Sequence, residues 1–149
     1  MDLLQAIQKD HEELKGILEK LKKTTNGGSK QREDLFAKLK KEITPHMEAE
    51  EKAYYPVLKE KKGAREKVLE SVEEHHVTKT VLKELEKLSR ADEQWPAKLS
   101  VFKELVEHHI EEEEDSIFEL TRELMEEEQL EEVLASFTEQ KEKVRSKMA

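Results

Sequence analysis

A short pattern of histidine and glutamate occurs twice in the chain and restricts the folds that the chain can adopt. In each half a His is followed, 35 or 34 residues later, by a second His, and a Glu comes four positions after that second His. The two copies are His11, His46 and Glu50, and His75, His109 and Glu113. Residues four apart on a helix share one face, so each His-x-x-x-Glu pair directs two side chains to one point. Four imidazoles and two carboxylates from four helices are the ligand set of a two-metal site inside a helical bundle.

The rest of the sequence predicts helices. The 149 residues include only four Gly and three Pro, and the abundant Glu, Lys and Leu favour helix. A charged fraction of 42% would also suit a disordered chain, but the apolar residues recur at helical spacing. We therefore predict an all-α fold, an up-down-up-down four-helix bundle with an additional C-terminal helix. We expect residues 1–149 to form a single domain, with the bundle over about 3–125 and the extra helix over about 128–146.

Turn residues place the boundaries of the predicted helices. The first helix should cover 3–23 with Asp2 as its N-cap, and the loop over 24–29 should separate it from a second helix that ends near Gly63. Pro45 lies inside that second helix, where it should remove a backbone hydrogen bond and bend the helix. The third helix should cover 64–88, and Trp95-Pro96 should open the fourth. On the first helix, Leu4, Ile7, Leu14, Ile17, Leu18 and Leu21 form an apolar stripe that includes His11.

The composition argues against several classes of protein. The absence of Cys excludes disulfides, thiolate zinc sites, iron–sulfur clusters and a Cys nucleophile. The formal charge is -9 and no basic stripe is present, so nucleic acid is not expected as a partner. No apolar run approaches the roughly 20 residues that span a bilayer, and the N-terminus has no secretory signal pattern. We expect a soluble, cytoplasmic protein without a membrane partner.

Two of the six predicted ligands have a neighbouring His, so their register must be chosen. His75 is preferred to His76 because it precedes Leu82 by seven residues, the interval that separates His11 from Leu18. His76 then becomes a boundary residue, with the role of an additional ligand as the alternative.

The same reasoning applies to the second doublet. His109 is preferred to His108 because it precedes Phe118 by nine residues, the interval from His46 to Tyr55. For His108 the alternatives are again a boundary position or an additional ligand. Imidazole and carboxylate ligands without sulfur suit iron or manganese and tolerate zinc.

The chain resembles the hemerythrin-like (HHE cation-binding) domain family over about residues 3–125. The matching motifs are Asp10-His11-Glu12-Glu13-Leu14, His46-x-x-x-Glu50 with Tyr55-Pro56, Glu74-His75 with Val81-Leu82, and His109-x-x-x-Glu113 with Ile117-Phe118. The resemblance implies a four-helix bundle that holds a non-haem di-iron centre, bridged by oxygen and two carboxylates. It implies that Glu50 and Glu113 are the bridging residues and that His11, His46, His75 and His109 are terminal ligands.

The chain departs from the oxygen-carrying members of that family at two positions. Those members have a second His one turn further along the third helix, where this chain has Lys79. Their last carboxylate is an Asp five residues after its His, whereas Glu113 follows His109 by four, and Glu114 occupies the fifth position. The chain is therefore more similar to the broader HHE group, and either one coordination position is open or His76 compensates.

These observations lead to one principal functional hypothesis and two alternatives. We expect two bridged Fe ions, with Mn or Zn as substitutes, that bind or reduce O2, NO or peroxide in sensing or stress defence. Such a protein could have oxidoreductase activity toward these oxidants. One alternative is an iron-responsive binding or storage module without turnover, and the other is a metal-free helical interaction protein.

The last helix either covers one side of the bundle or binds a protein partner or a second copy of the chain. Tyr54 and Tyr55 either pack in the core or offer a phenol to a ligand of the metal.

Substitution of the predicted ligands should remove metal from the protein. His46→Ala and Glu113→Ala should lose bound metal because each deletes a donor atom, whereas His76→Ala should lose little. Elemental analysis of the purified variants by mass spectrometry measures the difference. A loss of metal in His76→Ala that His75→Ala does not reproduce would contradict the chosen register.

Overall fold

A computed structural model describes residues 1–25 and 28–148 of the chain as five long helices, with no strand among those residues. Helix α1 covers Leu3–Lys22, α3 covers Arg65–Lys87, and α5 covers Glu127–Met148. Helix α2 runs over Ser29–Ala49, passes through a π-helical turn at Glu50–Tyr54 and ends with Tyr55–Lys59. Helix α4 repeats this form, with Gln94–Glu112, a π-helical turn at Glu113–Ile117 and Phe118–Leu124. The prediction of an all-helical bundle with an extra C-terminal helix is confirmed.

The start of α1 follows the prediction, whereas α2 ends at Lys59 rather than near Gly63. The Asp2 carboxylate accepts a hydrogen bond from the Gln5 backbone N–H at 2.8 Å, and the Gln5 side chain accepts from the Asp2 N–H at 3.0 Å. These two bonds form a capping box. Helix α2 begins at Ser29, and residues 26 and 27 of the predicted loop lie outside the described part. At Gly63 the backbone turns with a φ of +92°, a conformation that glycine adopts without steric cost.

Helix α2 continues through Pro45 rather than ending there. Pro45 removes one backbone donor, but the residues on either side of it are held by packing. Ile43 and Met47 are both buried in the bundle core. Tertiary contacts therefore keep this turn helical against the local preference of proline.

The apolar core consists of two clusters, one at each end of the bundle. The first cluster contains Phe36, Trp95 and Phe102, and it fills the end where α1 meets α2 and α3 meets α4. The second cluster contains Leu3 and Ile7 and lies at the opposite end. Every apolar residue of the predicted α1 stripe contributes to the core, with Leu4 partly buried against the second cluster, and Leu3 is an additional buried member. The polar side chains of the predicted site lie between the two clusters.

Helix α5 covers one side of the bundle, the first of the two roles considered for it. It packs along α2 and the first π-helical turn, and it buries Val133 and Phe137 there. Among the described residues, no helix is long and apolar enough to cross a membrane.

The aromatic cluster should contribute strongly to stability. Phe36 is completely buried and contacts Trp95 edge-on, with 5.5 Å between ring centroids. Phe36→Ala should lower the free energy of unfolding by about 3–5 kcal/mol, because it removes buried apolar area and leaves a cavity. Val101→Ala is the control, since Val101 is 52% exposed and its truncation should change the value by less than about 0.5 kcal/mol. Equal effects in a denaturant titration would contradict the core assignment.

Candidate metal centre

All six side chains that the sequence singles out meet in the middle of the bundle. Their donor atoms form two groups, and within each group the atoms lie within 4.8 Å of one another. The members of the first group are His11, His46, Glu50 and Glu113, and those of the second are Glu50, His75 and His109. Glu50 belongs to both groups, so the two groups share a carboxylate.

The helices position these side chains in a repeated way. His11 comes from α1 and His75 from α3, each from the middle of its helix. In α2 and α4 the His lies one turn before its Glu, and a π-helical turn begins at that Glu. A π-helical turn contains one residue more than an α-helical turn and often occurs at functional sites. The two turns begin at Glu50 and Glu113, the two buried carboxylates that face the centre.

The imidazoles direct their Nε2 atoms toward the carboxylates. The distance from His11 Nε2 to Glu113 Oε1 is 3.0 Å, and the distance from His75 Nε2 to Glu50 Oε1 is 3.1 Å. His46 Nε2 lies 3.3 Å from the same Glu50 oxygen. The close packing of so many donor atoms around one point is the arrangement that a cation requires.

Several of these atoms lack a hydrogen-bond partner, which tests whether a metal would fit. Among the described residues, four buried atoms of the centre have no partner in hydrogen-bonding geometry: His11 Nε2, His46 Nε2, Glu50 Oε2 and Glu113 Oε1. A buried polar atom without a partner is costly, and native proteins contain few of them. Once the imidazoles are neutral and the carboxylates ionised, each of these atoms offers a lone pair that a cation would accept, so the residues present fit a metal.

A second layer of carboxylates holds the outer nitrogen of every imidazole. The Nδ1–carboxylate distances are 2.7 to 2.8 Å for the pairs His11–Glu114, His46–Asp10, His75–Glu51 and His109–Glu74. A carboxylate that accepts the Nδ1 proton fixes the tautomer and leaves Nε2 free to bind a metal. These pairs orient all four rings toward the centre.

The sequence reasoning did not assign a role to these four acids, although the sequence contains a signal for them. Asp10 and Glu74 each precede the first His of their half directly. Glu51 and Glu114 each follow the inner Glu of their half directly. The internal repeat therefore includes the outer acids, but only the packing of helices shows which His each acid holds.

Lys79, which stands where oxygen carriers have a further His, points away from the centre. Its ammonium group lies 2.8 Å from Glu51 and 3.1 Å from Glu48. His76 is exposed, so the structure does not bring it to the centre in place of the missing His. His108 is also exposed, and its Nε2 lies 3.7 Å from the outer carboxylate of Glu74.

The hydroxyl group of Tyr55 lies against the centre. It donates a short hydrogen bond to the Glu113 carboxylate and lies 3.4 Å from both Glu50 Oε1 and His109 Nε2. Burial and the neighbouring carboxylates raise the pKa of Tyr55 well above its ordinary value of 10, so the phenol keeps its proton.

Tyr54 is buried too, but its hydroxyl faces away from the centre and forms a hydrogen bond with the Thr121 hydroxyl at 2.6 Å. Of the two Tyr residues, only Tyr55 faces the donor atoms.

A small cavity opens on one side of the imidazoles. Its volume is about 20 Å³, enough for about one water-sized molecule. The four His residues line it together with Leu14, Ile43, Met47, Thr78, Val106 and Ile110. The walls other than the imidazoles are almost entirely apolar, so the cavity suits a small, weakly hydrated molecule next to the donor atoms.

The buried charges strongly shift the titration of the inner groups. Burial by itself would lower the pKa of His46, but the carboxylates of Glu50 and Asp10 raise it to about 10. His75 is also buried, and Glu50 and Glu51 raise its pKa to about 9. Burial opposes the ionisation of Glu50, yet His46 and His75 hold its pKa well below 4.5. Without metal, protons therefore balance the carboxylate charge.

Comparison with known proteins yields two matches to one family. A model of the family described as the Hemerythrin HHE cation binding domain matches residues 2–121. The chain is similar to the crystal structure of a hemerythrin HHE cation binding domain-containing protein from Mycobacterium kansasii, with a TM-score of 0.86 and 23% identity. That likeness covers 99% of this chain and 89% of the other, and at this identity it shows a shared fold. No curated protein matches the chain.

The metal-free protein should lose stability as the pH rises. The pKa values of about 10 for His46 and about 9 for His75 lie above the ordinary value of 6.5 that these groups have in the unfolded chain. Their ion pairs therefore stabilise the fold fully below pH 6.5, and this contribution is lost as the pH rises through 9 and 10. Melting temperatures of metal-free protein between these pH values should fall, and His46→Gln should show a shallower fall than His76→Gln.

Stabilisation by added metal should have the opposite pH dependence. A metal ion displaces the protons from the imidazoles, so its binding strengthens as the pH rises. The difference in melting temperature with and without zinc or ferrous iron should therefore grow over this pH range. If the melting temperatures of metal-free His46→Gln and His76→Gln fell equally steeply with pH, the buried ion pairs would not control the pH dependence of stability.

Proposed function

The chain belongs to the Hemerythrin HHE cation-binding domain family, and from this membership we propose that it is a di-iron protein. The proposed activity is to bind or reduce a small oxidant, O2, NO or peroxide, in sensing or in stress defence. The observation that carries the proposal is the shared carboxylate. Glu50 stands in two groups of buried donor atoms that are otherwise separate.

The ligands divide between the two proposed ions as the two groups of donor atoms do. His11 and His46 would hold the first ion, and His75 and His109 would hold the second. Glu50 belongs to both groups and would contribute to holding both ions. Glu113 belongs to the first group, and its other oxygen accepts the hydrogen bond from Tyr55. Imidazole and carboxylate oxygen without sulfur favour iron or manganese over metals that prefer thiolate.

Bound as a pair, ferrous ions supply electrons to an oxidant that reaches them. Residues of the chain orient the ligands, exclude water and hold a proton near the centre. The outer carboxylates keep every Nε2 directed inward, and the apolar walls exclude bulk water from the centre. The Tyr55 hydroxyl holds a proton at the Glu113 carboxylate, within reach of Glu50 and His109.

The size of the cavity supports a small oxidant as the substrate. A volume of about 20 Å³ accepts a molecule near the size of water and excludes larger organic substrates. The side chain of Thr78 is the only non-imidazole polar group among its lining residues. We therefore favour diatomic gases and peroxide over substrates that need several hydrogen bonds for recognition.

Anaerobic reconstitution with ferrous iron tests the proposal. The wild-type protein should take up two iron ions per chain, and air or peroxide should then produce charge-transfer absorption in the near-ultraviolet and visible range, together with consumption of the oxidant. Glu50→Gln should lower the iron content, because it alters the carboxylate that both groups share. His76→Ala is the matched control, and it should retain both ions and the absorption.

Two results would contradict the proposal in different ways. Iron content well below two per chain in wild-type protein would refute the paired site. Full loading and strong thermal stabilisation without consumption of any of the three oxidants would refute the reactivity and support a binding or storage module.

A further inference from the structure

The two halves of the site share one pattern of ligands and outer acids, and α5 packs on the first half. In the second half, Glu74 holds His109 and also lies 3.7 Å from Nε2 of the exposed His108. The corresponding position of the first half is Pro45, since each of these residues directly precedes the second His of its half. Proline has no cationic side chain. The repeat therefore provides no partner for the outer carboxylate that holds His46.

Helix α5 supplies the missing partner. The Lys141 ammonium group lies 2.8 Å from Oδ1 and 2.9 Å from Oδ2 of Asp10. Asp10 Oδ2 in turn lies 2.8 Å from Nδ1 of His46. The side chains of Lys141 and Asp10 are only 17% and 11% exposed, so solvent screens this contact less than a surface ion pair. With both oxygens held, the Asp10 carboxylate is constrained in the orientation in which it accepts from His46.

The same helix also contacts the His46 ring directly. Phe137 lies four residues before Lys141 and is almost completely buried. Its ring meets the His46 ring edge-on, with 5.9 Å between centroids and 84° between planes. Helix α5 therefore restrains His46 through a ring contact and through Asp10.

The other outer carboxylates have cationic neighbours from within the four-helix bundle. Lys79 of α3 holds Glu51, the acid that bonds His75. The hydrogen bond from His11 is the largest cause that lowers the pKa of Glu114, and the charge of Lys15 of α1 adds to it. Only the His46 side of the centre, among the described residues, draws its cation from the helix that follows the bundle.

We propose that Lys141 is a positioning residue of the metal centre, which acts through Asp10 to fix His46. Lys141 therefore acts on the donor group that contains His46, because Glu51 and Glu74, the acids that hold His75 and His109, belong to other helices and bond other partners. This inference rests on the proposed metal function. It extends beyond the family match, which ends at residue 121, before α5 begins.

Nuclear magnetic resonance of the imidazole N–H protons tests the role of Lys141. In the Lys141→Met variant the Nδ1–H signal of His46 should shift or disappear through exchange with solvent, because Asp10 loses its restraint. The corresponding signals of His75 and His109 should stay in place. The measurement is made on the full chain, both metal-free and loaded with zinc, which is diamagnetic.

Three further variants separate positioning from general stability. Lys143→Met is the matched control on the same helix, since Lys143 pairs with Glu139 on the surface and should leave all four signals unchanged. Lys141→Arg should restore the His46 signal, because a guanidinium group can bond both carboxylate oxygens. Asp10→Asn should lower metal affinity about 10–100-fold, and Lys141→Met should add no further change of the His46 signal in that background.

Each outcome bears on one proposal. The positioning role is refuted if the protein takes up zinc but the Nδ1–H signal of His46 is unchanged in Lys141→Met. It is also refuted if the signals of all four His residues shift equally. If the wild-type protein takes up neither zinc nor iron, the proposed metal function fails instead. A change confined to His46, rescued by Lys141→Arg, supports the positioning role.

Discussion

Two carboxylates and four imidazoles are buried together in the middle of the bundle, and every other feature of the site follows from this burial. Isolated charges at such a depth would be far too costly, so the polar groups are tolerable only as a matched set. Glu50 and Glu113 are completely buried, and the inner imidazole nitrogens face them. Protons balance these charges in the absence of metal, and metal ions would do so in its presence. The same electrostatic requirement therefore accounts for the shifted pKa values and for the capacity to bind cations.

The outer acids turn this cluster into an oriented site. An imidazole alone could present either nitrogen to the centre, but a carboxylate on Nδ1 selects Nε2. Every one of the four rings has such a partner, and the acids recur at equivalent positions in the two halves. The centre is thus close to symmetric in its donors. It is asymmetric in its surroundings, because Tyr55 stands where the other half has Phe118. In addition, α5 covers the His46 side, whereas on the His109 side the Glu74 side chain is 31% exposed.

This asymmetry bears on function more than the ligand set does. Many proteins of different activity can share six metal-binding side chains, whereas access and proton supply distinguish them. Here an apolar cavity of about 20 Å³ adjoins the imidazoles, and a protonated phenol adjoins Glu113. The small cavity and the nearby phenol proton support the proposal that the substrate is O2, NO or peroxide. Lys79, at the position where oxygen carriers have a further His, does not replace that ligand, because its side chain turns outward to Glu48 and Glu51.

The helical fold and the pairing of His46 with Glu50 and of His109 with Glu113 can be read from the sequence alone. Both follow from local rules, since a helix repeats every 3.6 residues and places positions four apart on one face. The choice of His75 and His109 within their doublets came from the same spacing, and the structure buries those two and exposes their neighbours. Packing between helices brings the six inner residues together and pairs each outer acid with its imidazole. It also turns Tyr55 rather than Tyr54 inward and places Lys141 on Asp10. These features join residues up to 131 positions apart, so they depend on how whole helices pack and not on the periodicity within any one of them.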